Sequence, residues 1–255
     1  MNNILKPGET LDDLQNGFYI IQKEKSFRFG VDAVLLSDFA TVKNTDNVLE
    51  MGTGTGIISI LLHAKKRPKT ITAIEIQEEM VEMAKRSLKY NNLQEYITIL
   101  CMDLREAPRI LGKGKYNVIV TNPPYMKVGS GIINPIKELA AARFEIHCTL
   151  KDVIDSAYEL LLPQGRFYMV HRSDRLVDII YLMRNKGLEP KRIRFVHSSS
   201  NKKPHLLLIE GSKGGKPELK FMESLYIYDD KGNYSEEIER IYHRTRPALN
   251  FLPII

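Results

Sequence analysis

The stretch that decides the fold is Glu50-Met51-Gly52-Thr53-Gly54-Thr55-Gly56. It follows a short apolar run and directly precedes a segment with helical spacing, so it predicts a strand, a glycine turn and a helix. Glycines are needed where a ligand presses on the backbone and where φ is positive. The spacing G-x-G-x-G differs from the G-x-G-x-x-G that binds pyrophosphate. The loop therefore indicates a ligand site at the strand end, for a molecule without a pyrophosphate.

Outward from this loop, short apolar runs alternate with helical patterns, which is typical of a parallel sheet covered by helices on both faces. A polar connector, Ser198–Lys203, takes the place of a crossover helix, so the last two strands are expected to pair as an antiparallel hairpin. The sequence thus predicts an α/β fold with a seven-stranded, mostly parallel sheet and an antiparallel edge hairpin. The predicted strands are Asn47–Glu50, Thr70–Glu75, Ile97–Met102, Asn117–Thr121, Gly165–Val170, Ile193–His197 and His205–Glu210, and the predicted helices are Ile57–Lys66, Glu78–Asn91, Leu150–Leu162 and Arg175–Lys186.

Three regions are expected along the chain. Residues 1–45 form an N-terminal cover segment packed on the core, with a hairpin in Gly17–Gly30 and a short helix over Asp32–Phe39. Residues 46–243 form the main domain, and they include a possible edge strand at Leu225–Tyr228. Residues 244–255 show no periodicity, and we expect a disordered tail.

Composition excludes several classes of protein. The chain has 255 residues, of which 43% are hydrophobic and 27% charged, with 37 Lys and Arg against 31 Asp and Glu. Two cysteines exclude a disulfide scaffold and a four-cysteine zinc site. The sequence contains neither a C-x-x-C nor an H-E-x-x-H motif, so a protein-bound catalytic metal is not expected. No apolar run approaches the roughly 18 residues that span a bilayer, and no signal peptide is evident, so a cytoplasmic protein without membrane contact is expected.

Two acidic residues follow later strands. Glu75 ends the second predicted strand, 23 residues after Gly52, where a carboxylate can accept hydrogen bonds from both hydroxyls of a ribose. Asp103 follows the third strand. It is expected either to accept a hydrogen bond from the exocyclic amine of an adenine or to cap a helix over Leu104–Ile110, and the two roles are compatible.

The fourth predicted strand ends in Asn122-Pro123-Pro124-Tyr125. Two prolines restrict the backbone and stiffen the loop. The exocyclic amine of a purine is a poor nucleophile because its lone pair is delocalised into the ring. If the Asn122 side-chain oxygen and the Pro123 carbonyl each accept one N–H, the nitrogen becomes pyramidal and the lone pair is freed for attack. Tyr125 is expected to stack on the presented ring. A plain proline turn is the alternative.

Together, the glycine loop, Glu75, Asp103 and the Asn-Pro-Pro-Tyr stretch resemble class I S-adenosylmethionine-dependent methyltransferases that act on planar amino nitrogens. More closely, the chain resembles the bacterial tRNA1(Val) (adenine(37)-N6)-methyltransferase family, over about residues 5–242. Further segments that carry this resemblance are Phe27–Leu36, Ala142–Glu145 and Val170–Arg172. It implies a Rossmann-like class I methyltransferase that binds S-adenosylmethionine and methylates adenine N6 in tRNA, without metal. No protein partner is indicated.

The resemblance assigns roles to named residues. The cofactor is expected to contact Gly52, Thr53, Gly54, Gly56, Glu75, Asp103 and Phe29, and the chemistry to involve Asn122, Pro123, Pro124 and Tyr125. The residues expected at the RNA are Arg28, Lys127, Arg143, Arg172, Lys202 and Lys203. The window Lys191–Lys220 holds eight basic and two acidic residues, which suits a tRNA backbone. The alternative for Phe29 is burial in the core. The alternative for the basic residues is an ordinary solvated surface.

Three other functions stay open at this point. A protein glutamine N5-methyltransferase shares the Asn-Pro-Pro-Tyr stretch, but it carries a separate N-terminal helical domain. A guanine N2-methyltransferase of ribosomal RNA would more often have Phe in place of Tyr125. A non-catalytic RNA-binding module of the same fold is disfavoured because the glycine loop and Asn122 are intact.

Overall fold

A computed structural model describes residues 4–14, 17–24, 30–123 and 148–242 of the protein. In this part of the chain a two-stranded sheet precedes a nine-stranded sheet. The strands are β1 (Glu9–Asp13), β2 (Tyr19–Lys23), β3 (Asn47–Met51), β4 (Thr70–Glu75), β5 (Ile97–Cys101), β6 (Tyr116–Thr121), β7 (Leu161–Arg172), β8 (Leu188–His197), β9 (Pro204–Lys213), β10 (Lys220–Phe221) and β11 (Leu225–Tyr226). The helices are α1 (Val31–Phe39), α2 (Ile57–Lys66), α3 (Glu78–Tyr90), α4 (Ala107–Ile110), α5 (Leu150–Leu160), α6 (Leu176–Lys186) and α7 (Glu236–Ile241).

The seven predicted strands all form, as β3 to β9, and they lie in the order β8-β9-β7-β6-β3-β4-β5. Only β9 runs against its neighbours, since it pairs antiparallel with both β7 and β8. The predicted hairpin of the last two strands is confirmed, with β9 on its inner side. The edge strand predicted at Leu225–Tyr228 forms over Leu225–Tyr226 as β11, and it pairs in parallel with the outer side of β8. A second short strand on that side, β10, was not predicted from the sequence.

Helices cover both faces of the large sheet. On one face, residues of α1, α2, α3 and α7 share an apolar layer with alternate residues of the strands, such as Val48 and Val118. On the other face, α4, α5 and α6 pack against Leu49, Ile119 and their neighbours. The alternation of β-strand side chains between two faces explains why the strands are apolar throughout.

The N-terminal region differs from its prediction. The hairpin consists of Glu9–Asp13 and Tyr19–Lys23, so only its second strand falls inside the predicted Gly17–Gly30 range. It lies on α3, where the Ile21 amide donates to Ser87 Oγ at 3.0 Å. The Arg86 guanidinium donates to Glu9 Oε1 at 2.6 Å and fixes the other strand. The predicted helix over Asp32–Phe39 is confirmed as α1.

The carboxyl ends of three neighbouring strands are in register. Met51 of β3 pairs with Thr121 of β6 on one side and with Ile74 of β4 on the other. The Thr121 hydroxyl donates to the Met51 carbonyl oxygen at 2.9 Å and joins the ends of β3 and β6. The residues that follow these strands therefore lie next to one another along one edge of the sheet.

Candidate active site

The glycine loop and the Asn-Pro stretch begin at adjacent positions. Gly52 and Asn122 each directly follow a residue of the Met51–Thr121 pair. Because neighbouring strands are about 4.8 Å apart, the two loops leave the sheet side by side. On the far side of β3, Glu75 ends β4 one residue beyond the partner of Met51. The predicted cofactor loop, the acid and the predicted catalytic asparagine are thus brought together at the carboxyl ends of the parallel strands. This end of the sheet is named here the active-site edge.

The glycine loop turns through positive φ at three positions, with φ of 73° at Gly52, 55° at Gly54 and 89° at Gly56. The Gly52 and Thr53 amides both donate to the Ile74 carbonyl oxygen, at 2.9 and 3.1 Å, and this holds the loop against β4. A Cβ built on Gly54 would meet no atom within 4 Å. The loop therefore presents bare backbone to open space, as close approach of a ligand requires.

Glu75 fixes the loop as well as facing the site. Its carboxylate accepts three backbone N–H bonds of 3.0 Å each, from Gly54, Ile76 and Gln77. The side chain is buried. A carboxylate offers about four acceptor positions, so most are already engaged by the protein. Its predicted contact with a ribose stays a prediction, and it requires the hydroxyls to share these oxygens with the Gly54 amide.

Glu50 is the first residue of the motif, and no role was predicted for it from the sequence. In the structure it is a carboxyl group with no exposure to solvent. It is fully buried beneath the loop, where the Ser59 amide donates to Oε2 at 2.9 Å and the Ser59 hydroxyl donates to the same oxygen. Within the described ranges, Glu50 Oε1 and Thr53 Oγ1 are buried without a hydrogen-bond partner. Burial raises the pKa of the Glu50 carboxyl to about 7, against the opposing effect of the Ser59 donors.

Asp103 is engaged by its own neighbour. Its carboxylate accepts from the Arg105 amide at 2.9 Å and from the Arg105 guanidinium at 3.0 Å. The helix that follows begins at Ala107 and has Glu106 at its N-cap position, so the prediction of an Asp103 helix cap is wrong. Asp103 instead stabilises the turn before α4. Its predicted contact with adenine stays a prediction, and it requires sharing the carboxylate with Arg105.

An apolar residue beside Glu75 was also missed. Ile76 follows the acid and is 43% exposed, although it lies within the loop region at the end of β4. An exposed branched aliphatic side chain of this kind can pack against a flat ring. In the sequence, Ile76 is the one apolar residue in the polar stretch Glu75–Glu79. An isolated apolar residue of this kind is too common to predict a binding site.

Several predicted residues lie outside the described residues and are not placed. They are Arg28, Phe29, Pro124, Tyr125, Lys127 and Arg143, together with the predicted tail of 244–255. Asn122 and Pro123 are placed, with Asn122 partly exposed and Pro123 buried.

The basic window does not form one patch, which corrects the prediction that all eight residues serve one surface. Lys202 and Lys203 are exposed in the connector between β8 and β9, at the same edge as Asn122. Lys213 lies at the opposite edge, where its ammonium donates to the carbonyl oxygens of Tyr158 and Leu161 at 2.7 and 2.8 Å. Arg192 and Arg194 are paired with glutamates. Arg172, at the active-site edge, is paired with Asp174 at 2.9 Å.

Two features are absent from the part of the chain that the structure describes. No helix there is long and apolar enough to cross a bilayer. No group of three or more His, Cys, Asp or Glu side chains there is arranged to hold a metal ion.

Comparison with known proteins agrees with this geometry. A family model described as "Methyltransferase small domain" matches residues 30–183, a range that runs from α1 to α6 and includes every placed element of the candidate site. The chain belongs to the methyltransferase small domain family. The protein is therefore an enzyme of the methyltransferase class, and the glycine loop and Asn122 lie inside the matched range.

Named relatives extend over most of the chain. A tRNA1(Val) (adenine(37)-N6)-methyltransferase of Porphyromonas gingivalis is 29% identical over 232 residues, covering 88% of this chain and 90% of that protein. A protein of the same name from Tolumonas auensis is 27% identical over 223 residues, covering 86% of this chain and 90% of that protein.

Solved structures show the same fold. A predicted O-methyltransferase from Agrobacterium tumefaciens superimposes with a TM-score of 0.66 at 19% identity, covering 83% of this chain and 95% of that one. A geranyl diphosphate C-methyltransferase from Streptomyces coelicolor, solved with S-adenosyl-L-homocysteine, gives a TM-score of 0.52 at 11% identity, covering 71% and 78%. The sheet of this methyltransferase is thus the Rossmann-like sheet of class I enzymes.

Proposed function

We propose that this methyltransferase transfers a methyl group from S-adenosylmethionine to N6 of an adenine in tRNA, at position 37 of tRNA1(Val). The observation that carries the proposal is the register of β3 and β6, which sets the glycine loop directly beside Asn122-Pro123. A cofactor held by the loop and a base held by Asn122 would then meet at one strand edge. The relatives that align over most of the chain carry the name of this activity.

The residues at the loop fit S-adenosylmethionine. Gly54 opens onto empty space, and the Glu75 carboxylate faces the end of the loop, where ribose hydroxyls would donate to it. Beneath the loop lie the buried side chains of Glu50 and Thr53. When bound, S-adenosylmethionine supplies a methyl group on a sulfonium sulfur. Ile76 would cover one face of its adenine.

Asn122 and Pro123 are the proposed chemical groups. The Asn122 Oδ1 atom and the Pro123 carbonyl oxygen would each accept an N–H of the target amine, so that the nitrogen lone pair points at the methyl carbon. As the N–C bond formed, the bond between the methyl carbon and the sulfonium sulfur would break, with S-adenosylhomocysteine as the leaving group. The amine nitrogen would become cationic and would then release one proton to water. Acceptors that are already oriented stabilise this developing charge without reorganising. Tyr125 would stack on the adenine, and this role rests on the sequence alone.

The base has to leave its stack to reach the strand edge, which is less costly in a single-stranded loop than in a duplex. An anticodon loop meets this requirement. Lys202 and Lys203 lie at the same edge and would contact phosphates of the same RNA. The remaining predicted RNA contacts, at Arg28, Lys127, Arg143 and Arg172, stay predictions. A tRNA substrate also places the reaction in the cytoplasm.

Transfer of a labelled methyl group to total tRNA, followed by nucleoside analysis, tests the proposal. We expect N6-methyladenosine as the labelled product, and roughly 100- to 1000-fold slower labelling with an Asn122→Ala variant that still binds the cofactor. Label in N2-methylguanosine, or label in protein glutamine and none in tRNA, would overturn it in favour of one of the two other methyltransferase functions.

A further inference from the structure

The outer end of the active-site edge carries a group of aromatic and basic side chains that the reaction above does not use. It consists of Tyr226 and Tyr228, together with Lys202 and Lys203 of the β8–β9 connector. We propose that this group, named here the outer platform, binds an unpaired base of the RNA substrate by stacking, a few nucleotides away from the methylated adenine. This inference rests on the proposed function, because it takes tRNA as the ligand.

Strand pairing sets the two tyrosines at the surface. Leu225 and Ile227 alternate with them and are buried in the apolar layer, at 1% and 5% exposure. Tyr226 and Tyr228 therefore project outward, and each is 40% exposed. The side-chain period of two in an extended chain produces this division.

The backbone beneath the rings is held on both sides. The Ile227 and Tyr228 amides donate to the carbonyl oxygens of His197 and Ser198, at 2.9 and 2.8 Å. The Ser235 hydroxyl, which caps α7, donates to the Tyr226 carbonyl oxygen at 2.7 Å. A ring on a fixed backbone loses little further freedom when a base stacks on it, so binding costs less entropy.

The rings themselves are arranged for stacking. Tyr228 lies parallel to Tyr234, with centroids 5.4 Å apart and planes at 10°, and Tyr234 continues the stack to Tyr242 at 6.1 Å. Tyr226 packs against His197 at 5.0 Å. Tyr228 is thus the exposed end of a row of rings. A base would extend that row, which is how single-stranded RNA is bound on aromatic side chains.

Positive charge stands beside the rings. The His197 Nδ1 atom donates to the Lys202 carbonyl oxygen at 2.7 Å, which fixes the lysine connector next to Tyr226. Neither lysine ammonium has an ion pair within the described ranges. Two carboxylates of the adjoining turn lie nearby and offset part of this charge: Asp229 Oδ1 accepts the Lys231 amide at 2.9 Å, and Asp230 Oδ1 accepts the Ser200 hydroxyl at 3.0 Å. Stacking on the rings is therefore the main contribution expected from this group.

The platform faces the same side as the chemistry. From β11 the sheet continues through β8, β9 and β7 to β6, the strand that directly precedes Asn122. β11 is therefore four strand spacings, or roughly 19 Å, from β6. The carboxyl ends of β6, β7, β8 and β11 share one edge, since these strands are parallel. One single strand of RNA would reach both places.

Affinity for tRNA, measured with a Tyr226→Ala/Tyr228→Ala double variant across a range of salt concentrations, tests the platform. We expect the affinity to fall by about 5-fold to 100-fold, in line with the loss of base stacking. The slope of log affinity against log salt should stay unchanged, because no phosphate contact is removed. The Tyr226→Phe/Tyr228→Phe variant, which keeps both rings, should bind like the wild type. Tyr181→Ala, an equally simple change at a tyrosine 64% exposed on α6, is the matched control.

An alanine double variant that binds tRNA within twofold of the wild type would overturn the platform. So would a variant whose cofactor affinity falls in parallel, because that indicates general damage. If the double variant does not fold, ultraviolet crosslinking of wild-type protein to tRNA decides. Crosslinks at Tyr226 or Tyr228 support the platform, and crosslinks confined to other sites overturn it. These binding measurements need no turnover, so they remain separate from a failure of the methylation assay.

Discussion

The two ends of the active-site edge are built in different ways. At the inner end, around β3 and β4, backbone amides and buried carboxylates form the site: Glu75 accepts three N–H bonds, and Glu50 lies fully buried under the loop. At the outer end, around β8 and β11, exposed rings and ammonium groups form the surface. The inner end suits one small ligand of fixed shape. The outer end suits a polymer whose phosphates and bases can be contacted at several positions.

The largest effect of a substitution is expected on the rate of methyl transfer, at Asn122, which lies between the two ends. Asn122→Ala removes an acceptor that is used most strongly as the amine becomes pyramidal, so the rate of transfer should fall by roughly 100- to 1000-fold. The affinities for cofactor and tRNA should change little. Single-turnover methylation with both ligands saturating measures the rate. Tyr125→Phe is the matched mild change, since it keeps the stacking face, and Tyr125→Ala should be severe. An Asn122→Ala rate within threefold of the wild type would mean that the stretch is only a stiff turn.

The next effect concerns stability at the inner end. The Glu50 carboxyl has a pKa of about 7 in the fold against 4.5 ordinarily, so the folded protein binds more protons between these values and stability falls as pH rises through them. Glu50→Gln is neutral at every pH, and its carbonyl oxygen can still accept from Ser59. Relative to the wild type, the variant should gain on the order of 3 kcal/mol between pH 5 and pH 8.

Thermal melts at several pH values measure this difference, with Glu95→Gln at an exposed position before β5 as a control for loss of one charge. The difference in melting temperature between Glu50→Gln and wild type should widen toward high pH. A constant difference would show that Glu50 does not titrate between pH 5 and pH 8 in the folded protein, and it would contradict the raised pKa of about 7.

A smaller effect is expected at Glu75. Removing a charged acceptor costs about 1.5–3 kcal/mol, so Glu75→Ala should weaken the affinity for S-adenosylmethionine by at least about tenfold. Because Glu75 also holds Gly54, part of this loss reflects the loop. Glu75→Gln keeps the side-chain volume and one acceptor oxygen. Its affinity for S-adenosylmethionine should lie between that of the wild type and that of Glu75→Ala. Calorimetric titration measures both variants, and unchanged cofactor affinity in Glu75→Ala would remove this residue from the site.

The smallest effect is expected at the outer end. Replacing Lys202 and Lys203 by alanine should lower the magnitude of the salt slope for tRNA binding by about 0.7 to 0.9 for each lost contact and leave cofactor affinity unchanged. Lys216→Ala is the control, because this exposed lysine follows the β9 end at the opposite edge. A slope equal to that of the wild type in the double variant would make the connector an ordinary solvated surface.

Sequence patterns were informative where local chemistry determines the structure. The seven strands of the core and the helix Ile57–Lys66 follow from apolar periodicity and from a glycine turn that requires positive φ. The N-terminal hairpin was misplaced because its first strand, Glu9–Asp13, is largely polar and does not alternate. β11 forms two of the four residues predicted as an edge strand, whereas β10, which also has two residues and pairs with β8, was not predicted.

For the site, the same distinction applies. Gly52, Glu75 and Asn122 stand at strand ends, and the order of the parallel strands brings them together. The pairing of Asp103 with Arg105 and the division of the basic window depend on where side chains point, which periodicity does not show. Glu50 was visible in the motif, but its importance comes from burial, a property of the folded chain.

Methylation of two transcripts tests the central claim most directly: tRNA1(Val) with adenine at position 37, and the same RNA with guanine there. The protein is incubated with each transcript and labelled S-adenosylmethionine, and the nucleosides are separated. The account predicts about one N6-methyladenosine per adenine-37 transcript and none in the guanine-37 transcript. Equal labelling of both transcripts, or a labelled nucleoside other than N6-methyladenosine, would contradict it.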